Sequence, residues 1–467
     1  MTHVAVIDIG KTNAKLALVD TETMTERAVV TRPNTVVHGP PWPHFDVAGH
    51  WRFLLDALGE VHRTYGVSAI SVTTHGAAGV LLDQTGGLAA PVLDYEHSGP
   101  DALAEAYNTL RPPFEETGSP RLPGGLNLGA QLHWMFATDP GLRARVATCL
   151  TYPQYWGYRL TGVAASDVSS LGCHTDLWAP KARAFSTLVE RLGLAGKMAP
   201  ARSAFDVLGC ILPTVARETG LPRETPVHCG IHDSNASLLP HILTREPPFS
   251  VVSTGTWVIA LAIGGVATVL DPKRDTLINV DALGAPVPSA RFMGGRAFET
   301  VISGLPAPPS PDDVRHVLDR LIMLLPSVVQ GSGPFPERAA RWLGGEPPLG
   351  RGARTAAASF HLALMTATCL DLIGHRGPIV VEGPFGANAV FCQMLSAATG
   401  SPVAASDGRT GTSQGAAMLV DAKPHLRRPT VTIPPTAQMQ DYARRWQMSV
   451  EEEARADQDP RPPRSGR

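Results

Sequence analysis

Two short apolar runs joined by a polar turn open the chain. Val4-Ala5-Val6-Ile7 is apolar at every position, which predicts a strand buried on both faces. Lys15-Leu16-Ala17-Leu18-Val19 predicts the return strand of a hairpin. Between them lies Asp8-Ile9-Gly10-Lys11-Thr12-Asn13, rich in glycine, hydroxyl and amide groups. The same alternation recurs at Val251-Val252-Ser253-Thr254-Gly255-Thr256-Trp257-Val258, again strand, turn and strand. Ser71-Val72-Thr73-Thr74 predicts a further strand running into the loop His75-Gly76-Ala77. Pro226 to Ser237 changes from strand to helix spacing near Asp233, a helical stretch covers Val314 to Leu325, and another helix covers Ala389 to Thr399. Pro40-Pro41-Trp42-Pro43 reads as a loop, and Glu246-Pro247-Pro248 as a domain boundary.

Composition narrows the classes. At 467 residues, 43% of them hydrophobic, the chain is long enough for two or three domains with sizeable cores. A formal charge of −2 argues against non-specific nucleic-acid binding, which needs clustered Lys and Arg. No run approaches 18 apolar residues, so no membrane span is expected, and the N-terminus lacks a signal-peptide pattern. Cys149, Cys173, Cys210, Cys229, Cys369 and Cys392 show no CxxC spacing. They read as free thiols in a reducing cytoplasm. Residues 451–467 are charged and proline-rich and read as a disordered tail.

The chemistry concentrates in three places. Each polar turn offers a flexible glycine and backbone N–H groups, the means by which a turn cradles phosphate oxygens. Asp8, at a strand end beside the first turn, suits a magnesium ion that keeps most of its waters and takes one or two carboxylates. Asp233, near a helix start, suits deprotonation of a substrate alcohol. The bland alternatives are an ordinary hairpin, whose Gly, Thr and Asn only serve the turn, and an aspartate that only caps its helix. His228 and His232 could serve as ligands, but satisfied strand histidines are the commoner reading.

These motifs, in this order, resemble the FGGY carbohydrate kinases, of the sugar kinase/actin/Hsp70-type ATPase superfamily, from Val4 to about Val420. Asp8 to Asn13 looks like the family's first phosphate motif and Ser253-Thr254-Gly255-Thr256 like its second. Gly230-Ile231-His232-Asp233-Ser234 looks like the catalytic motif. Glu382-Gly383-Pro384-Phe385-Gly386-Ala387-Asn388, with Gln393 one helical turn on, looks like the adenosine motif. Gly411 to Ala417 looks like a closing helix of small residues. Lys11 in the first turn and Pro384 after Gly383 depart from the commoner spelling.

The resemblance implies an α/β fold of two ribonuclease H-like domains with mixed sheets around a central cleft. An N-terminal domain (1–245) would bind sugar and a C-terminal domain (246–450) nucleotide. It implies ATP and Mg²⁺, with Asp233 as base, and Asp8 and Asp233 near the metal. Gly10, Lys11, Thr12, Asn13, Thr254, Gly255, Thr256, Gly383, Pro384, Gly386, Asn388 and Gln393 would meet the nucleotide. His75, Gly76, Tyr95, Glu96, Gln154 and Asp233 would meet the sugar, with Asp94 a less favoured candidate than Glu96 and Tyr95. The helix from Tyr152 to Thr161 resembles the one leading to the family's Leu-Thr-Gly turn. The Asp-Tyr-Glu spelling leans toward the fuculokinase and rhamnulokinase branch, hence a ketose such as L-fuculose or L-rhamnulose. Xylulose, ribulose or a polyol, a sugar-sensing pseudokinase and an assembly ATPase are the alternatives. The expected setting is cytoplasmic, with a small sugar as partner, neither nucleic acid nor membrane, and room for a homodimer.

Overall fold

The computed structural model describes residues 2–406, 411–422, 430–431 and 434–458. The chain forms two units. The first comprises Met1–Arg245, Leu277–Val287 and Thr410–Arg427. The second comprises Glu246–Thr276, Pro288–Arg409 and Arg428–Arg467. One division between the units falls between Arg245 and Glu246, and two later segments return to the first unit.

The first unit is built on a mixed sheet of β1 (His3–Ile9), β2 (Asn13–Asp20), β3 (Thr25–Pro33), β4 (Ala69–Thr74), β5 (Val207–Cys210), β6 (Pro226–His228) and β7 (Ile231–His232). Its order is β5-β6-β4-β1-β2-β3, with β7 also on β4. β1 runs antiparallel to β2 and parallel to β4, with Asp8 opposite Lys15 and Thr73. The unbroken apolar run of β1 is explained by its two neighbours. Ala5, Ile7 and Ile9 pack with Leu54 and Leu58 of helix α1 (Val47–Tyr65) and Trp156 of α2 (Tyr152–Thr161). Val4 and Val6 face the other way, onto Ala236 and Leu239 of α3 (Asp233–Thr244) and Ala416 and Ala417 of the helix Thr412–Ala417. Small residues there bring backbones together. A Cβ at Gly415 would overlap the Ala236 carbonyl, and Ser71 Oγ donates to Ala416 O at 2.7 Å.

The second unit repeats the plan with β8 (Phe249–Thr254), β9 (Val258–Ile263), β10 (Pro286–Phe292), α4 (Gly294–Ile302), α5 (Gly352–Leu372), β11 (Ile379–Glu382), α6 (Ala389–Thr399) and β12 (Val403–Ala405). β8 pairs antiparallel with β9 and parallel with β11, matching β1 between β2 and β4. By length and composition α5 could cross a membrane, but most of it is buried in this unit's core, including Phe360, Ala363 and Leu370.

Two expectations need correction. The stretch Val314 to Leu325 is not one helix. It is the end of Pro311–Asp319 followed by the strand Met323–Leu325, because Met323, Leu324 and Leu325 are buried consecutively, as a short inner strand requires. Residues 451–458 are not a free tail but the end of the helix Ala437–Gln458. Met439, Tyr442, Ala443, Trp446 and Val450 form one buried stripe at helical spacing, and the charged run continues its outer face, where Glu453 pairs with Arg341. The rest of the tail lies outside the described residues.

Among the buried histidines are His50, His75 and His232 in the first unit and His361 in the second. Burial pushes each down to about 4. An unfolded histidine titrates near 6.5. Between those values the unfolded chain binds protons the folded chain refuses, so stability is full above about 6.5 and lost as pH falls toward 4. Each histidine contributes a slope of up to about 1.4 kcal/mol per pH unit. Buried Asp8 and Asp167, both raised by burial, oppose part of this slope. The expected result is a Tm that falls steadily from pH 7 to pH 5 in calorimetry. A Tm rising over that interval would contradict it.

Candidate active site

The first turn closes on itself. Gly10 N–H donates to Asn13 O at 2.9 Å. Asp8, last but one in β1, is paired with Lys15 Nζ at 3.3 Å. Burial raises the Asp8 carboxyl, Lys15 offsets part of the rise, and the charge of Asp233 adds to it. Two carboxylates of one unit therefore lie within each other's field.

Asp233 is the first residue of α3, where the chain leaves β7. Its Oδ1 accepts from its neighbour's backbone, Ser234 N, at 2.6 Å and lies 3.2 Å from His232 Nε2. The side chain is 34% exposed, and its cap position is taken by His232. The carboxylate sits at the positive end of a twelve-residue helix, which favours its charge. Burial works against the charge and prevails, so the carboxyl lies above its ordinary range, with His75 countering part of the rise. A carboxylate that is accessible, anchored by one oxygen and raised toward neutrality has the properties of a general base.

His75 ends the neighbouring strand β4. Its N–H is bound by Ile9 O at 2.9 Å, which ties the loop to β1. Its Nδ1 lies 2.8 Å from Gly76 O, and a carbonyl can only accept, so Nδ1 carries the proton. Nε2 is then a buried acceptor without a partner among the described residues. The ring stands among Phe45, Tyr95 and Tyr152 at centroid distances of 4.9–5.3 Å. Gly76 is required by proximity, since a Cβ there would come within 2.6 Å of His232 Nε2.

Lys11 does not extend from its turn into solvent. Its ammonium is paired with Asp94, lies 3.1 Å from Glu96 Oε2, and stands over the rings of Tyr95 and Phe45 at 4.9 and 5.3 Å. Asp94, Tyr95 and Glu96 lie on one loop and Phe45 on the short strand His44–Phe45, so Lys11 couples both segments to the first turn. Glu96 is largely exposed, and burial lifts the Tyr95 hydroxyl to about 12. Tyr95 therefore stays a neutral donor throughout the working range.

Gln154 is corrected. Its amide nitrogen donates to Cys229 O at 2.9 Å and Gly230 O at 3.2 Å, its oxygen accepts from Thr151 Oγ1, and it is fully buried. It is a strut that fixes the segment before Asp233. Sequence reading also missed Phe45 and Tyr152 as walls around His75.

The second unit has its own arrangement. The turn Thr254–Thr256 ends β8, and Thr254 Oγ1 donates to Glu382 O and accepts from Phe385 N at 3.2 Å. Gly383 has φ +80°, and a Cβ there would overlap the Thr254 carbonyl. The turn and the Gly383–Gly386 segment, where Pro384 opens a short 3-10 turn, are thus sewn edge to edge. Gly255 is open, with nothing nearer its missing Cβ than Trp257 O at 3.9 Å. α4 starts against the same turn, Arg296 N reaching Thr256 O at 3.5 Å. Beside α4 lies an open recess of about 440 Å³, lined by Arg296, Thr300, Ser327, Val328, Val329 and Gln330. Asn388 is corrected, because its side chain is used internally. Its oxygen caps α6 by accepting from Phe391 N at 3.1 Å, and its nitrogen donates to Ser359 Oγ at 2.9 Å. Gln393 is half-buried on α6.

Among the described residues no three His, Cys, Asp or Glu side chains converge on one point. A magnesium ion held mainly by water and phosphate needs fewer, and Asp8 with Asp233 fits that requirement.

Known proteins resemble this chain over most of its length. Residues 3–240 match the N-terminal domain of the FGGY family of carbohydrate kinases, and 246–429 match the carbohydrate kinase FGGY C-terminal domain. A carbohydrate kinase from Novosphingobium aromaticivorans is 38% identical with TM-score 0.89, over 96% of this chain and all of that one. A xylulose kinase from Rhodospirillum rubrum shares the fold at 22% identity and TM-score 0.77, over 97% and 99% of the two chains. The L-fuculokinase of Salmonella typhi is 26% identical over 274 residues, 56% of this chain and 57% of that protein, so the match spans little more than half its length.

Proposed function

The chain belongs to the FGGY family of carbohydrate kinases, and on that footing we propose that it transfers the γ-phosphoryl group of ATP to a hydroxyl of a small sugar, with Asp233 as the general base. The observation that carries this reading is the pairing, in one unit, of a raised, accessible carboxylate with a neutral His75 whose Nε2 has no partner among the described residues. Phosphoryl transfer asks for positioning and charge stabilisation more than covalent chemistry. The sugar hydroxyl oxygen attacks the γ-phosphorus, its proton passes to Asp233, and ADP leaves. His75 Nε2 accepts from a second hydroxyl, while Tyr95 and Glu96 supply a donor and an acceptor at the rim. Gly10, Thr12 and Asn13 in the first turn, with Thr254, Gly255 and Thr256 in the second, hold phosphate oxygens. Lys11 serves the sugar loop.

Gly383, Pro384, Gly386 and Gln393 border the adenosine, whose base has room in the recess beside α4. A magnesium ion near Asp8 and Asp233 would neutralise charge on the phosphates. The substrate is a neutral ketose, with L-fuculose and L-rhamnulose preferred for the Asp94-Tyr95-Glu96 spelling and the likeness to an L-fuculokinase. D-xylulose is the second choice, from the xylulose kinase likeness in fold. An ATP-dependent reaction of this kind belongs in the cytoplasm.

A screen of ketoses, aldoses and polyols for ATP-dependent sugar phosphate formation identifies the substrate. With the best sugar, His75→Leu should lower kcat/KM by about 10–100-fold, the cost of one lost hydrogen bond in a buried site. ATP affinity measured by calorimetry should be unchanged. The deoxy analogue lacking the hydroxyl that meets His75 should lose as much with the wild-type protein and little more with the variant. An unchanged kcat/KM in His75→Leu would remove His75 from the pocket.

A further inference from the structure

Behind the first turn runs a chain of side chains that the reaction does not touch. Asn34 follows β3 and straddles the turn. Its backbone N–H donates to Thr12 O at 2.8 Å, and its side-chain Nδ2 donates to Gly10 O at 2.8 Å. Its Oδ1 lies 2.7 Å from His50 Nε2, and His50 Nδ1 lies 2.9 Å from Arg32 Nη1. Arg32 is itself paired with Asp46, which caps α1 through Gly49 N at 2.9 Å.

The protons in this chain are fixed by elementary bonding rules. A guanidinium can only donate, so His50 Nδ1 is the acceptor and Nε2 carries the hydrogen. Nε2–H then donates to Asn34 Oδ1, which leaves the Asn34 amino group pointing at Gly10 O. Each bond of the chain then has one donor and one acceptor, and His50 and Asn34 are both buried. Burial and the Arg32 charge both keep His50 neutral, as this arrangement needs. In a trans peptide the C=O and the following N–H point in opposite directions. Drawing Gly10 O and Thr12 O toward Asn34 therefore turns Lys11 N–H and Asn13 N–H away from it, both in one sense. A turn with its carbonyls tied back and its N–H groups turned out is prepared for an anion.

We propose that Asn34, His50 and Arg32 are positioning residues that hold the first turn in its phosphate-receiving form. This rests on the kinase reading above. His50 acts through Asn34, and Arg32 acts by fixing the tautomer of His50. Orientation established in advance is what such a relay supplies, since small misplacements of a binding group lose much of its effect.

Three variants and one spectrum test it. His50→Phe fills the space and removes both hydrogen bonds. His50→Gln restores an N–H toward Asn34 and an acceptor toward Arg32. Asn34→Asp accepts from His50 as before but cannot donate to Gly10 O, and it sets a negative charge against the turn. With the best sugar saturating, kcat/KM for ATP should fall by about 10–100-fold in His50→Phe, the range seen when supporting hydrogen bonds to a site are lost. It should fall further in Asn34→Asp and return to within about threefold in His50→Gln, while KM for the sugar changes less than twofold throughout. Nitrogen-15 spectra of the wild-type protein at pH 7 should show His50 neutral with the proton on Nε2. If His50→Phe does not fold, the spectrum and the other two variants decide. A wild-type kcat/KM for ATP in Asn34→Asp, equal losses for ATP and sugar, or His50 protonated on Nδ1 would overturn the relay while leaving the kinase reading intact. A wild-type protein that forms no sugar phosphate from ATP would overturn both.

Discussion

Asp233→Asn should abolish most turnover while leaving both substrates bound. The substitution keeps the shape and the oxygen that accepts from Ser234 N at 2.6 Å, so the start of α3 is undisturbed. It removes the proton acceptor. General-base catalysis contributes about 10²–10⁴-fold, and kcat should fall by that factor. Affinity for sugar and for ATP, each measured by calorimetry, should stay within a few-fold. The pH profile supplies a second signature. The wild-type acid limb reports loss of the base as pH falls through its pKa. Because burial raises Asp233, that limb should lie above the ordinary carboxylate range, with activity full on its alkaline side. The residual activity of the variant should lack that limb. A variant retaining more than half the wild-type kcat would rule Asp233 out as the base.

Gly383→Ala should damage nucleotide binding more than any other single change of one methyl group. Gly383 has φ +80° and ψ −166°, a region essentially reserved for glycine, where other residues cost on the order of 1–3 kcal/mol. The added Cβ also meets the Thr254 carbonyl, which belongs to the backbone and cannot swing aside. The second turn and the Gly383–Gly386 segment must separate, and ATP affinity should fall at least about tenfold, equivalent to about 1.4 kcal/mol. Sugar affinity measured without nucleotide should be unchanged, because His75, Tyr95 and Asp233 belong to the other unit. Gly255→Ala makes the informative contrast. The site around Gly255 is open, so its Tm should match the wild type while ATP affinity still drops. Unchanged ATP binding in a folded Gly383→Ala would remove this segment from the nucleotide site.

What was legible in the sequence was local. The unbroken apolar run of β1 announced a strand covered on both faces, and Ala5/Ile7/Ile9 and Val4/Val6 are found on opposite sides of it. The glycine turn, the helix headed by Asp233 and the neighbouring positions of His75 and β4 followed from spacing alone. What was not legible depends on partners far away in the chain. Gln154 looks like a pocket residue until the carbonyls of Cys229 and Gly230, some 75 residues on, take both its donors. Lys11 resembled a phosphate ligand, but its partner Asp94 lies 83 positions on. Asn388 spells the adenosine motif and is used instead to cap α6, with Ser359 holding its other end. Residues 451–458 had the composition of a tail, and only the stripe from Met439 to Val450 shows that they finish a packed helix.

In the proposed reaction Asp233, His75, Tyr95 and Glu96 together receive a sugar hydroxyl for phosphorylation by ATP. The most direct measurement follows ADP and sugar phosphate together, with ATP and magnesium, across a panel of ketoses, aldoses and polyols. One neutral ketose should raise ADP formation well above the sugar-free rate, with one sugar phosphate formed per ADP and both lost in Asp233→Asn. ADP formation at the same rate with and without every sugar, or sugar phosphate formed at an undiminished rate by Asp233→Asn, would contradict it.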